Sequence, residues 1–132
     1  MVMISGPRLL AMQGAGQAIP TPVAGQFLLD TGASGTVIDH DLVAALNLPV
    51  ISQVGITTPS TTAGASEMRN QYDIGLFIPS GNSSVQGFHI AAMPVIATAM
   101  RHQGIDGLIG RDVLNRCTLT YIGSAAVFSL SY

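Results

Sequence analysis

The first residue in this sequence placed to do chemistry is an aspartate at the end of an apolar run. In Phe27-Leu28-Leu29-Asp30-Thr31-Gly32-Ala33-Ser34 a strand-like segment runs into a carboxylate and continues as a turn of small residues. That placement brings Asp30 close to a core, where ionisation is costly unless hydrogen bonds support the charge. Gly32 lets the backbone bend and allows a ligand near its amide, and Thr31 offers a hydroxyl that can brace the turn. Taken alone, Asp30-Thr31-Gly32 also reads as an aspartate that merely begins a turn. A second segment lies far along the chain, Gly107-Leu108-Ile109-Gly110-Arg111-Asp112-Val113-Leu114, where an apolar pair leads into a glycine, an arginine and an acid.

Together the two segments resemble the hallmarks of retropepsin-like aspartic proteases, the group of retroviral proteases and their stand-alone cellular and bacterial relatives. Leu28-Leu29-Asp30-Thr31-Gly32-Ala33-Ser34 fits the catalytic turn of that family, and Leu108-Ile109-Gly110-Arg111-Asp112 fits its second motif. Order and spacing match, over about residues 22–132. The resemblance implies a single-lobe acid-protease β-barrel that works as a homodimer. Each subunit would supply one Asp30, and the pair would share a proton and activate water against a peptide bond, with no metal or other cofactor. Thr31 would bond across the dimer axis. Gly32, Ala33 and Arg111 would support the site. Substrate contacts would come from Gly32, Ser34, Leu108, Ile109 and a flap around Ala63 and Gly64. Asp106 and Asp112 lack a following Thr-Gly, so one chain carries half a dyad.

Two positions depart from the family pattern. Ser34 stands where retroviral members often carry an acid that pairs with the arginine, which leaves Asp39, Asp41 or Asp112 as possible partners of Arg111. Ala33 lacks the hydroxyl that Asp-Thr-Gly-Ser members aim at the catalytic carboxylate. The expectation is an activity optimum nearer weakly acidic than strongly acidic pH.

The elements needed to hold these residues are mostly strands. Turn-forming residues recur every 8–12 positions or so, the rhythm of an all-β sandwich or barrel. Strands are predicted over 22–29, 35–38, 50–57, 69–78, 85–90, 94–97, 118–122 and 125–130, with clear alternation in Gln71-Tyr72-Asp73-Ile74-Gly75-Leu76. Asp39 caps a predicted helix whose buried stripe is Leu42, Val43 and Leu46, stopped by Asn47 and Pro49. A shorter helix follows Gly110, with Val113, Leu114 and Cys117 on one face. The small, polar residues 58–68 read as a hairpin arm. The chain reads as one domain, with residues 1–20 a possible leader or dimer-interface strand, and with 125–132 as the candidate interface.

Composition narrows the function classes. Apolar residues make up 48% of the 132 and charged residues 9%, far below the usual charged share of about 25%, so part of the surface is expected to lie against a partner. The net charge of −2 and five scattered arginines exclude a nucleic-acid binder. The longest apolar run, about residues 88–100, is short of the roughly 20 residues needed to span a bilayer, and the chain reads as soluble. The lone Cys117 fits a reducing compartment, which tilts the address toward the cytoplasm without fixing it. His40, His89 and His102 have no metal-ligand spacing, Ser34 lacks the surroundings of a nucleophile elbow, and Met68, Met93 and Met100 read as core or pocket filler. The competing reading keeps the fold as a non-catalytic dimerisation or peptide-binding module. Against it stands the intact Asp30 turn, which looks costly to keep without a use.

Overall fold

The alternation read over residues 71–76 is realised in the computed structural model as part of one long strand, with Tyr72, Ile74 and Leu76 turned into the core. The structure describes residues 1–57, 66–82 and 84–132. Its strands are β1 (Val2–Ile4), β2 (Phe27–Leu29), β3 (Val37–Ile38), β4 (Ser52–Ile56), β5 (Glu67–Ile78), β6 (Phe88–Ala97), β7 (Gly107–Ile109), β8 (Thr118–Ile122) and β9 (Val127–Ser131). Three short helices join them, α1 (Gly6–Gly14), α2 (His40–Ala45) and α3 (Arg111–Leu114). The chain is mostly β, as expected. Among the described residues, seven strands form one sheet in the order β1-β5-β6-β3-β7-β2, with β4 also on β5, while β8 and β9 make a separate hairpin.

Several boundaries differ from the sequence expectation. The predicted strand over 22–29 is regular only at Phe27–Leu29. The two strands expected over 85–90 and 94–97 are one strand, β6. Pro94 lies outside the stretch of β6 that pairs with β3, on a free edge where a strand proline is tolerated. Three elements are not among the predicted strands and helices, although the sequence leaves residues 1–20 open as a leader or a dimer-interface strand. β1 is too short for a period to show, yet it pairs antiparallel with β5 of its own chain and buries Val2 and Ile4. α1 starts with Pro7 in its first turn and packs Leu9 and Met12 against the core. β7 is three residues long and lies inside the sheet.

β7 decides the architecture around Asp30. It pairs in parallel with β2, Leu29 opposite Ile109, and antiparallel with β3, Val37 opposite Leu108. The strands that lead into and out of the Asp30 turn are therefore split by a strand from near the other end of the chain. The crossing is close: a Cβ on Gly110 would lie 2.5 Å from the backbone carbonyl of Gly35. Only glycine lets the two backbones meet there.

α2 follows the sequence closely. Asp39 caps it by accepting a bond from the Asp41 amide at 2.9 Å, and Leu42 and Leu46 are buried. The helix stops at Asn47, whose φ of 46° is left-handed. The Leu48 amide then reaches the Val43 carbonyl and the Asn47 amide the Ala44 carbonyl, a Schellman ending. α3 likewise buries Val113 and Leu114, and Cys117 is half-buried beneath it with its thiol pushed up by burial. Met93 and Met100 are core residues, whereas Met68 is 58% exposed and fills nothing. No helix among the described residues is long and apolar enough to cross a membrane.

Candidate active site

Asp30 follows directly on β2, and its amide donates to the Ile109 carbonyl at 3.0 Å. Its carboxylate is asymmetric. Oδ1 accepts the amides of Gly32 at 2.8 Å and Ala33 at 3.2 Å, while Oδ2 has no partner among the described residues. The turn is not strained. Positive φ among the described residues falls at Gly16, Asn47, Gly104 and Ala126, none of them in 30–36, so the cost argued from the sequence does not arise from backbone strain. Glycine at position 32 answers a different need, because a Cβ there would lie 3.1 Å from Asp30 Oδ1.

Arg111 holds this turn from below. Its Nη1 donates to the carbonyls of Thr31 at 2.9 Å and Gly32 at 2.8 Å, and its amide donates to the Ala33 carbonyl at 3.0 Å. The carboxylate partner expected for Arg111 is not found among the described residues, and each candidate is engaged elsewhere. Asp41 pairs with Arg101 at 2.7 Å. Asp112 accepts both the amide and the hydroxyl of Thr36. Asp39 is buried and accepts the amides of Asp41, Met100 and Arg101. Burial pushes Asp39 up, but those three amides and the nearby Arg101 outweigh it and hold the carboxyl below its ordinary value.

Asp30 opens onto a cleft of about 620 Å³ whose walls include Gly32, Ser34, Val37, Ile56, Gln71, Ile96 and Leu108. Gly32, Ser34 and Leu108, predicted as substrate contacts, line it. Ile109 does not: it is 3% exposed, buried beneath the turn, because alternation along β7 sends its side chain to the core while that of Leu108 faces out. Ala63 and Gly64 lie outside the described residues. Ile56, Gln71 and Ile96 were missed by the sequence reading. Their strands were predicted, but only strand pairing says which residues of β4, β5 and β6 come to face Asp30.

On the other side of the turn, Phe27, Leu28, Leu29, Thr31, Leu119, Tyr121 and Phe128 line a second, apolar groove of about 440 Å³ between β2 and the β8–β9 hairpin. Leu28, Tyr121 and Phe128 are 52%, 73% and 58% exposed, a large apolar area left in water.

Compared with known protein families, residues 13–113 match the family described as aspartyl protease, a span that includes Asp30 and the Gly110-Arg111-Asp112 motif. The chain belongs to this retropepsin-like aspartyl protease family. A search of curated proteins finds no match. The aspartyl protease match begins inside α1 and ends inside α3, leaving β1 and the β8–β9 hairpin outside it. The hairpin residues that line the apolar groove thus lie beyond the matched span.

Proposed function

We propose that this chain is an aspartic endopeptidase whose catalytic dyad is formed by Asp30 from two copies. The observation that carries the reading is the Asp30 carboxylate on an open cleft, one oxygen fixed by two amides and the other without a partner among the described residues. A single carboxylate of this kind can accept a proton from water but cannot also donate one to the carbonyl oxygen. A second carboxylate within a few ångströms supplies the missing role, because two such groups cannot both ionise easily and share one proton. In the dimer, the ionised Asp30 takes a proton from the attacking water. The protonated one gives its proton to the carbonyl oxygen, and the proton gained by the first passes to the leaving nitrogen as the C–N bond breaks.

The apolar groove beside Asp30 supports a second copy as the partner. A two-fold interface built on Leu28, Tyr121 and Phe128 would remove from water the large side chains the monomer leaves exposed, at about 25 cal/mol per Å² of apolar area. Thr31, expected to bond across the dimer axis, lines the same groove. The cleft walls suit an extended, largely uncharged peptide, since Val37, Ile56, Ile96 and Leu108 are apolar and Gln71 is amide-bearing.

The test is cleavage of an unfolded protein such as casein by the wild-type chain and by Asp30→Asn. The substitution removes the ionisable group while keeping the size of the side chain. Loss of activity on the order of 10³-fold is expected. Equal cleavage by both forms would overturn the peptidase reading, and peptide binding without cleavage would leave a binding module.

A further inference from the structure

We infer that Asp112 and Thr36 are positioning residues for the Asp30 carboxylate, closing a frame whose other side is Arg111; the inference rests on the peptidase reading. The turn from Asp30 to Thr36 is held at three points by the consecutive residues Gly110, Arg111 and Asp112. Arg111 grips its start through the carbonyls of Thr31 and Gly32, and the Arg111 amide grips its middle at Ala33. Asp112 grips its end. Asp112 Oδ2 accepts the Thr36 amide at 2.9 Å, and Oδ1 accepts the Thr36 hydroxyl at 2.8 Å and the Val113 amide at 2.9 Å. The Thr36 oxygen in turn accepts the Gly110 amide at 3.2 Å.

Each polar atom in this junction has a defined partner, and Thr36 is 2% exposed, which limits competition from water on its side of the bonds. Asp112 is not among the residues lining the cleft; Thr36 is, with its amide and hydroxyl donated to Asp112. Removing the junction frees the far end of the turn while leaving Asp30 and its two amide donors chemically intact. A dyad depends on its two carboxyls being held to within about 0.5 Å, and a shift of about 1 Å costs on the order of 100-fold in rate. The Asp-Arg pairing weighed from the sequence therefore has another form: arginine and acid of the second motif hold opposite ends of the turn instead of one another.

The experiment compares Thr36→Val, Thr36→Ser, Asp112→Ala and the double variant Thr36→Val/Asp112→Ala, assayed well below their melting temperatures. Amide hydrogen exchange at Gly32 and Ala33 is measured alongside. Thr36→Val keeps the buried shape and removes the hydroxyl; it is expected to lower kcat by about ten- to a hundredfold with KM unchanged. Thr36→Ser restores the hydroxyl and most of kcat. The double variant is expected to be no worse than the weaker single one, since both break the same junction. Exchange at Gly32 and Ala33 speeds up in Thr36→Val and not in Thr36→Ser. Wild-type kcat and exchange in Thr36→Val, or losses that multiply in the double variant, would overturn the inference. If wild type and Asp30→Asn prove equally inactive, the peptidase reading falls, and the exchange rates alone decide whether the junction positions the turn.

Discussion

The two oxygens of Asp30 occupy unlike environments, one tied to the Gly32 and Ala33 amides and one without a described partner. An oxygen already held by amides keeps its position when the proton moves, so the unpartnered oxygen is the one suited to exchange protons with water and substrate. Ala33 contributes its amide but no hydroxyl. A serine at this position would add a donor to the charged form and let the carboxylate persist to lower pH. The expected outcome of Ala33→Ser is an acidic limb of the pH–rate profile displaced downward; an unmoved limb would mean that the hydroxyl does not reach the dyad. The aspartate and its turn were legible in the sequence because an apolar strand ending on Asp-Thr-Gly is a local pattern. The bonds of Arg111 and Asp112 were not, because both residues find their partners more than seventy positions away.

At the scale of elements, α2 illustrates what local signals can carry and where they stop. Its cap, buried stripe and stop were readable from Asp39, the Leu42–Leu46 spacing, Asn47 and Pro49, whereas the left-handed conformation of Asn47 came only from the structure. The second task of Asp39 was not readable either. Its carboxylate also accepts the Met100 and Arg101 amides, tying the start of α2 to the segment after β6. Arg101 adds ion pairs to Asp41 and Asp106, and the Gln26 amide donates to Asp106, so the segment before β2 joins the same knot. Because the folded state holds the Asp39 carboxyl below its ordinary value, its ionised form contributes stability that is full above the unfolded value of about 3.9. That contribution falls away as pH drops through the lowered folded value. Asp39→Ala is expected to destabilise the fold by on the order of 2 kcal/mol near neutral pH and to flatten the acid side of the stability curve. Urea denaturation at several pH values measures both. A mutant parallel to wild type at every pH would rule out this role.

For the whole molecule, the question is what covers the apolar face beside the site. Low charge content led to the expectation of a surface held against a partner, and the exposed Leu28, Tyr121, Ile122, Val127 and Phe128 form an apolar face around the β8–β9 hairpin. The candidate interface expected over residues 125–132 contains β9 and therefore part of it. Since Phe128 is 58% exposed, Phe128→Glu has little cost in the monomer but puts a charge into a two-fold contact. Sedimentation over a range of concentrations should give a dimer for wild type, a shift toward monomer for Phe128→Glu, and cleavage that falls with the dimer fraction. Full activity from a monomer at every concentration would remove the two-copy dyad.

By itself, the sequence determined the family and that the chain is mostly β, because the Asp30 turn, a helix cap and two-residue alternation are written in neighbouring positions. Only the tertiary structure decided that β7 runs between β2 and β3, that Ile109 is core while Leu108 is cleft, and that Asp112 holds Thr36 instead of Arg111. The reason is physical. β7 is only three residues long, so no periodicity marks it, and its place depends on a backbone crossing at Gly35 and Gly110 between segments far apart in the chain.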